Sequence, residues 1–341
     1  WRPVPSGDGQ QLSFHIQSNG KRYTSISATF ADPWFGGKRP NSFSLSGYYR
    51  HINDVSYDNI KSVLQTTGAY YNTTGVTVTL GQRLKWPDDY FIIQRSISFE
   101  RYKFKDWGGI IPNDSSATIY GLIFGVTLSR NSLDQFIYPR NGSLFSIGLN
   151  FTPPYSLLNG KDYSTLSSEE KYKWTEYYKW TIKGETYTSI IGNLVLMTRA
   201  YFGIIGRYNK EVGYPLTESY SLGGSGLIGY SYTNLEIVPM RGYDDGALTG
   251  RLFDRFTCEL RYPITLKEQA TIYGFVFAEG GNCWTSSQNF NPFDIKRSLG
   301  VGIRVFLPMF GMIGFDLGYG FDKIGNEVSG WKPQFVMGQQ Y

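Results

Sequence analysis

Long hydrophobic runs are missing from this 341-residue sequence. No stretch approaches the ~18 consecutive apolar residues that a membrane-spanning helix needs. The sequence therefore excludes a helical membrane protein. It leaves open a chain that crosses a bilayer as strands, because such strands hide their hydrophobicity in the alternation of apolar and polar residues.

Cysteine and histidine are scarce, with two residues of each kind. Cys258 and Cys283 form no Cys-x-x-Cys pair and lie far from both histidines, which argues against a zinc site. They are either two ordinary small residues or a disulfide formed in an oxidising compartment. His15 and His51 have no Ser or Asp at a recognised catalytic spacing, so we predict that the protein is not an enzyme.

A block of charge of one sign is also absent. The 33 basic and 28 acidic residues give a net charge of +5 and are spread along the chain. Nucleic acid is therefore not an expected partner, because its binding proteins concentrate their basic residues.

The stretch from Gly224 to Gly229 matches Gly-x-Gly-x-x-Gly, but no βαβ unit surrounds it, so it predicts a flexible loop and no dinucleotide site. We expect no cofactor and no metal.

Glycine and aromatic residues are abundant, with 40 Gly, 27 Tyr, 23 Phe and 8 Trp. This composition is typical of short strands, many turns and aromatic girdles, and it does not favour a helical core. The length allows either two ordinary domains or one large all-β barrel. The composition favours the barrel.

Alternation of apolar and polar residues predicts fourteen strands. The clearest example runs from Tyr172 to Thr186, where Trp174, Trp180 and Ile182 alternate with lysine and threonine. A polar loop is expected between the third and fourth strands. The predicted strands lie near residues 12–17, 23–30, 43–50, 76–81, 90–104, 119–130, 144–152, 172–186, 194–205, 252–262, 270–280, 299–307, 312–321 and 332–341.

The predicted strands have a common reach of ~10 residues, which matches a tilted crossing of a bilayer. Short turns alternate with longer loops, as in barrels that have periplasmic turns on one side and outer loops on the other. An even number of strands places both ends of the chain on the periplasmic side. The strands of a soluble β-sandwich also alternate apolar and polar residues. The prediction of a membrane-spanning barrel therefore rests on the repetition of this strand length.

The longest predicted loop, residues 207–251, contains a glycine-rich stretch and the tripeptide Arg241-Gly242-Tyr243. An arginine offers a fixed fork of donors that suits a buried carboxylate. Glu259 and Glu279 should face inward, because they alternate with apolar residues on their strands. In the strand of Glu259, the inward set also holds Arg255, Thr257 and Arg261, and the outward set holds Phe256, Cys258, Leu260 and Tyr262.

We expect Arg241 to pair with one or both of these glutamates, since an unpaired cation in a closed lumen costs several kcal/mol. The alternative is that Arg241 is a solvated loop residue.

The C-terminal stretch Phe335-Val336-Met337-Gly338-Gln339-Gln340-Tyr341 ends on an aromatic residue. It predicts a closing strand whose last ring sits at the membrane interface.

The order Gly-Gly-Ser-Gly, then Arg-Gly-Tyr, then alternating strands that end on an aromatic residue resembles the BamA family of outer-membrane protein assembly factors, in the POTRA-barrel superfamily. The aromatic turn 32–37 is also similar to segments of that family. The resemblance implies that residues 1–341 form an outer-membrane β-barrel domain whose loop enters the lumen. The resemblance also implies that Arg241-Gly242-Tyr243 docks there on Glu259 and Glu279. Residues 227–239, between the glycines and Arg241, depart from the spacing of many relatives.

Barrels of the family that the sequence resembles have about sixteen strands and are preceded by POTRA domains. The fourteen predicted strands therefore match the third to sixteenth strands of that family. The POTRA domains and the first two strands are then expected outside this sequence. In that family the last strand pairs weakly with the first, and the seam between them opens sideways.

The resemblance implies an insertase in the outer membrane of a Gram-negative bacterium, which pairs client strands at that seam. The expected partners are unfolded outer-membrane proteins, accessory assembly lipoproteins and outer-membrane lipids, and no nucleotide or metal is required. One alternative is a TamA-like translocation relative that shares the Arg-Gly-aromatic loop. Another is a passive diffusion porin, which needs an open lumen with a charged constriction.

Overall fold

A computed structural model of the chain describes residues 9–37, 40–58, 63–108, 110–112, 115–226, 234–267, 269–309, 311–325 and 330–338. Strands dominate it. Two α-helices have four residues each, Tyr155–Leu158 (α1) and Ser168–Lys171 (α2), and a single 3₁₀ turn spans Ser287–Asn289. In these described ranges no helix has the length and apolar character to cross a membrane.

The described residues form seventeen strands. They are β1 Gln11–Asn19, β2 Tyr23–Asp32, β3 Asn41–Asp58, β4 Val63–Arg83, β5 Phe91–Lys105, β6 Ala117–Asn131, β7 Gly142–Phe151, β8 Tyr178–Ile191, β9 Leu194–Gly206, β10 Glu218–Leu222, β11 Asn234–Val238, β12 Leu248–Gly250, β13 Leu252–Lys267, β14 Ala270–Trp284, β15 Lys296–Leu307, β16 Gly311–Gly320 and β17 Gly330–Met337.

Fourteen of these strands form one antiparallel sheet, in the order β1 to β9 followed by β13 to β17. The predicted all-β fold with fourteen strands is therefore confirmed. In the part of the chain that the structure describes, β1 and β17 are the two edge strands. The remaining three strands, β10, β11 and β12, form a separate small sheet inside the long loop, where the sequence analysis predicted no strands.

The two faces of the sheet differ in chemistry. On β13, Arg255 and Glu259 are buried, whereas the alternate residues Phe256, Leu260 and Tyr262 are exposed. An exposed face of large apolar side chains is the pattern of strands that meet lipid. We call this the outer face, and we call the face that carries Arg255 and Glu259 the inner face.

The chain divides into two compact units. The first consists of Trp1–Leu128, Gly148–Lys179 and Gly206–Thr217. Its inner face is lined by aromatic rings, and Tyr71 stacks on Phe104 with the ring centroids 4.7 Å apart. The carboxylate of Glu100 accepts hydrogen bonds from the hydroxyls of Tyr48 and Tyr102 in this unit.

The expected polar loop between the third and fourth strands is wrong. In the structure, β3 continues to Asp58 and β4 already begins at Val63, and their ladder pairs Val55 with Thr66. The exposed side chains of this extension include the polar residues Asp54 and Ser56, so the hydrophobic alternation fades while the backbone pairing continues. Hydropathy alone therefore misses this extension.

The predicted start of the eighth strand is also wrong. β8 begins at Tyr178, and Trp174 makes only an isolated bridge to Tyr120. The ring of Trp174 packs on Tyr120 and Tyr155, with centroids 5.5 and 5.0 Å away. Trp174 therefore packs in a local aromatic cluster outside the ladder of the sheet, although the sequence around it alternates like a strand.

The second unit consists of Ser129–Ile147, Trp180–Ile205 and Glu218–Tyr341. It contains β9 and β13 to β17, which pair antiparallel with a register shift between Pro263 and Thr265 on β13. An apolar cluster on its inner face joins aromatic residues of β14 with Val195, Met197 and Met312. The candidate site lies in this unit.

Candidate functional site

The small three-stranded sheet holds the long loop in shape. β10 pairs with β11 in parallel and with β12 in antiparallel fashion. A backbone bridge between Gly224 and Met240 continues this pairing towards the tip. We call residues 240–243 the loop tip. Leu227, Ile228 and Gly229 of the predicted glycine-rich stretch lie outside the described residues.

The loop tip brings Arg241 onto the inner face between two carboxylates. Its Nη2 donates to Glu259 Oε1 at 2.6 Å and to Glu279 Oε1 at 2.7 Å. Its backbone N–H also donates to Glu279 Oε2 at 2.8 Å. All three residues are buried, so each charge finds its opposite away from water. Breaking such a pair from one side typically costs about 3–5 kcal/mol.

Aromatic rings complete the pocket around Arg241. The guanidinium carbon lies 3.7 Å from the centroid of the Phe277 ring and 5.4 Å from that of Phe275. The negative face of an aromatic ring attracts a cation, more so when water is excluded. Burial alone would lower the pKa of Arg241, but the carboxylates of Glu279 and Glu259 outweigh it and raise this pKa above its ordinary value. Arg241 therefore stays charged.

Gly242 lets the backbone of the loop tip approach the sheet. Its φ of +84° lies in the left-handed region that favours glycine. A Cβ at this position would lie 3.0 Å from the backbone nitrogen of Gly320 and 3.0 Å from Cβ of Ser298. Residue 242 must therefore lack a side chain for Arg241 to reach both carboxylates.

Tyr243 ties the tip to the last strands of the sheet. Its hydroxyl donates to the carbonyl oxygen of Arg297 at 2.6 Å, and its own carbonyl accepts from Nε2 of Gln334 on β17 at 2.7 Å. The adjacent Asp244 forms an ion pair with Lys332 of β17 at 2.5 Å. The loop tip is thus attached to the edge strand of the sheet.

The two glutamates have further partners that the sequence analysis did not assign. Arg255 Nη2 and the hydroxyl of Thr257 donate to Glu279 Oε1, at 2.7 and 3.1 Å. Arg261 Nε donates to Glu259 Oε2 at 2.7 Å. The inward parity of β13 was the available signal, since it placed all three residues on the face of Glu259.

Two other ion-pair groups on the inner face were missed. Glu185 pairs with Arg199 at 3.0 Å and with Lys183 at 3.3 Å. Arg304 donates to both carboxylate oxygens of Asp316, at 2.6 and 2.8 Å. Glycines opposite the second pair make room for it, because a Cβ on Gly314 would lie 2.5 Å from Arg304 Nη1. That signal appears only once the register is known.

A second loop, residues 132–141 between β6 and β7, also reaches the inner face and was not singled out from the sequence. The buried hydroxyl of Tyr138 lies 3.2 Å from the carbonyl oxygens of Asn193 and Arg261, and its ring packs on Tyr273. Burial raises the pKa of Tyr138 to about 12. At Tyr138 the loop is held by neutral contacts, and near its end Arg140 Nη2 donates to the carbonyl oxygen of Gly192 at 2.8 Å.

The predicted closing strand corresponds to β17, which contains Phe335, Val336 and Met337 and is followed by Gly338. Gln339, Gln340 and Tyr341 lie outside the described residues. The ladder of β17 on β16 runs from Gly330 opposite Gly320 to Met337 opposite Ile313. Phe335 and Met337 point to the outer face, and Val336 points to the inner face.

The two cysteines are both free thiols, Cys258 exposed and Cys283 buried. Across the ranges that the structure describes, no group of three or more His, Cys, Asp or Glu is arranged to hold a metal ion. The candidate site consists of the buried ion pairs around Arg241.

A long antiparallel sheet with an apolar exposed face, a charged inner face and a loop docked on that inner face defines a transmembrane β-barrel protein of the outer membrane. The family model of the Omp85 superfamily domain matches residues 6–341. The chain belongs to the Omp85 superfamily.

Solved structures share its fold. BamA from Haemophilus ducreyi lacking POTRA domains 1-3 has a TM-score of 0.67 and 15% identity, over 96% of this chain and 63% of that one. CdiB from Escherichia coli has a TM-score of 0.56 and 12% identity, over 91% of this chain and 52% of that one. CdiB from Acinetobacter baumannii has a TM-score of 0.53 and 12% identity, over 96% of this chain and 53% of that one.

The chain thus spans just over half to 63% of the length of these three structures. A comparison with the sequences of curated proteins gives no significant match.

Proposed function

We propose that the protein is an insertase subunit, which folds and inserts β-barrel proteins into the outer membrane of a Gram-negative bacterium by strand pairing at a lateral seam. The observation that carries this proposal is the docking of Arg241 on Glu259 and Glu279, the arrangement that the resemblance to the BamA family implies. The fold shared with BamA adds support.

The physical work of such a protein is to satisfy backbone hydrogen bonds in lipid. An unfolded client strand carries N–H and C=O groups that cannot enter the hydrocarbon core unpaired. An exposed edge strand can pair with them by strand addition, and the client then continues to fold from that template. This mechanism needs no enzyme chemistry, nucleotide or metal.

β17 is the strand that we assign to this role. In the described residues it is hydrogen-bonded to β16 on one side and forms an edge of the sheet on the other. Gly338, with a φ of +86°, directly follows its last residue, Met337. The short ladder makes the strand suitable for exchange with a client strand.

The loop tip acts as a brace in this proposal. Gln334 and Lys332 of β17 bind Tyr243 and Asp244, while Arg241 anchors the same tip to β13 and β14. When the seam beside β17 opens towards a client, these contacts hold the strand in place from the inner face. The proposed partners are unfolded outer-membrane proteins, accessory assembly lipoproteins and the surrounding lipids.

Cross-linking tests the assignment of β17. A photo-cross-linking amino acid replaces Phe335, which is 48% exposed on the edge strand, in the full-length protein reconstituted in vesicles. We expect covalent adducts with an unfolded β-barrel client. The matched control is Val301, 49% exposed on the outer face of the interior strand β15, which should give few adducts. Equal yields at both positions would contradict client pairing at the edge.

A TamA-like translocation relative is a second candidate, because the Arg-Gly-aromatic loop is expected in it too. The same vesicles distinguish the two functions. An insertase converts the client into a folded barrel in the membrane, seen as a shifted band on an unheated gel. A translocation protein releases the client into the vesicle lumen, where external protease cannot reach it.

A passive porin makes a different electrical prediction. Arg241 and its partners occupy the inner face in the second unit, whereas a porin needs an open aqueous path with a charged constriction. We expect small, intermittent conductance in planar bilayers and a larger conductance for Arg241→Ala. A large steady conductance of the wild-type protein would favour the porin.

A further inference from the structure

The inner face of the second unit contains a cavity of about 110 Å³. Its walls include Arg241 of the loop tip together with Leu133 and Ile137 of the 132–141 loop. The charged residues that line it are five arginines and two glutamates: Arg199, Arg241, Arg255, Arg261, Arg304, Glu185 and Glu259. Positive charge therefore dominates its wall.

The imbalance remains when the ion-pair partners behind the wall are included. Lys183, Glu279 and Asp316 complete the linked pairs, which then contain six cations and four carboxylates. The described network thus carries two excess positive charges, one in the group of Glu185 and one in the group of Glu259 and Glu279. Each cation has a carboxylate partner, but a buried network with more cations than carboxylates is unfavourable, so an anion in the cavity would stabilise it.

Unused hydrogen-bond donors point to the same conclusion. Nε of Arg241 and Nε of Arg255 are buried and have no hydrogen-bond partner among the described residues. Both side chains line the cavity and use Nη2 for their carboxylate contacts. Buried donors normally find partners, because leaving one unsatisfied costs free energy.

We propose that this cavity binds a small inorganic oxyanion of the sulfate and phosphate class. The cavity is several times larger than the roughly 10–15 Å³ that one water molecule requires. The Nε–H groups of Arg241 and Arg255, unpaired among the described residues, can each donate a charge-assisted hydrogen bond to a tetrahedral oxyanion. The bound anion neutralises the excess charge beneath the loop tip and so stabilises the docked loop.

Calorimetric titration tests this site with sulfate as the probe. The full-length protein in nonionic detergent is titrated with sodium sulfate at neutral pH, with sodium gluconate holding the ionic strength constant. We expect one binding site per chain and a melting temperature that rises and then saturates with sulfate, because the ligand binds only the folded protein. A soluble short-chain phosphatidylglycerol should give no binding, which separates a free ion from a lipid headgroup.

Variants locate the site. Arg255→Gln should weaken sulfate binding about tenfold or more, because it removes a charged donor from the wall. Arg199→Gln removes a cation from the group of Glu185, which holds the second excess positive charge. This variant provides the test of sulfate binding if Arg255→Gln fails to fold. Arg297→Gln is the control, since this arginine is exposed and pairs with Asp322 outside the cavity, and its sulfate binding should be unchanged.

Two outcomes would overturn the proposal. The absence of binding and of a saturating shift in the wild-type protein would mean that the cavity holds only water. Binding of equal strength to the wild-type protein and to the folded cavity variants would place the anion elsewhere. Neither result depends on whether the protein inserts clients, so this inference and the proposed function fail separately.

Discussion

Two loops reach the inner face of the second unit, and different chemistry holds each of them. The tip of the long loop is held by charge, through Arg241 between Glu259 and Glu279. The 132–141 loop is held at Tyr138 by packing and by one neutral hydroxyl, whose single proton is shared between two carbonyl oxygens. We call these contacts the ionic dock and the neutral dock.

The difference concerns what happens when a contact is lost. Removing one side of a buried ion pair leaves the opposite charge without a partner in a place that water does not reach. Removing a neutral hydroxyl leaves only a polar carbonyl to be satisfied, which costs less. The ionic dock therefore gives a loop that is either fully seated or strongly destabilised, whereas the neutral dock tolerates partial loss.

The ionic dock should show the largest effect in Glu279→Ala. Glu279 accepts hydrogen bonds from Arg241, Arg255 and Thr257, so its loss leaves two arginines short of a partner. We expect a loss of about 3–5 kcal/mol in the free energy of unfolding. Denaturant unfolding in detergent measures it, with the exposed Glu169→Ala as the control. A loss below about 1 kcal/mol, the range of a surface pair, would remove the distinction between the docks.

The close approach of the backbone should give the next largest effect. In Gly242→Ala the new Cβ meets the strand backbone at 3.0 Å, and the φ of +84° disfavours any side chain. We expect about 1–3 kcal/mol of destabilisation. Gly246→Ala in the same loop is a useful control, because φ there is +73° but the nearest atom to a Cβ is 3.4 Å away. Equal losses in both variants would show that conformation alone, and not the approach to the sheet, is responsible.

The neutral dock should show a smaller effect. Tyr138→Phe keeps the ring on Tyr273 and removes only the hydroxyl. We expect a loss of about 1 kcal/mol, the ordinary net contribution of a hydrogen bond. The same unfolding experiment measures it. If Tyr138→Phe were as damaging as Glu279→Ala, charge would not be the feature that separates the two docks.

The exposed side-chain pair of Arg297 and Asp322 belongs to neither dock and should have the smallest effect, although Tyr243 of the loop tip contacts the backbone of both residues. The hydrogen bond from Arg297 holds the pKa of Asp322 below its ordinary value. The folded chain thus binds this proton less readily than the unfolded chain, so the contribution is present above the unfolded pKa and is lost as pH falls through the folded pKa.

Comparison of the wild-type protein with Asp322→Asn tests this pH dependence. Below about pH 4, the range of an ordinary aspartate, the difference in unfolding free energy between the two proteins should shrink. A difference that stays constant from neutral pH down to pH 2 would contradict the lowered pKa.

The sequence predicts the ionic dock better than the neutral dock, for a physical reason. Strand parity places Glu259 and Glu279 on the inner face, and a buried carboxylate requires a cation that the chain supplies at Arg241. No comparable requirement marks Tyr138, because a tyrosine in a loop has no obligatory partner. Its two carbonyl acceptors come from Asn193 and Arg261, which only the folded chain brings near it.

The other structural features that the sequence does not predict have related causes. The small sheet of β10, β11 and β12 depends on pairing between distant segments of one loop, and its short strands have little alternation of their own. The pair of Arg304 and Asp316 needs glycines opposite it, which are visible only in the register of β15 and β16. Alternation along one strand predicts faces, whereas contacts across strands require the register.

The coupling between Arg241 and Glu259 tests most directly the claim that charge seats the loop tip. A double-mutant cycle compares the unfolding free energies of the wild-type protein, Arg241→Met, Glu259→Gln and the double variant. Because the two groups are buried and 2.6 Å apart, we predict a coupling of about 1.5–3 kcal/mol. Additive effects of the two substitutions, with a coupling near zero, would contradict the ionic dock.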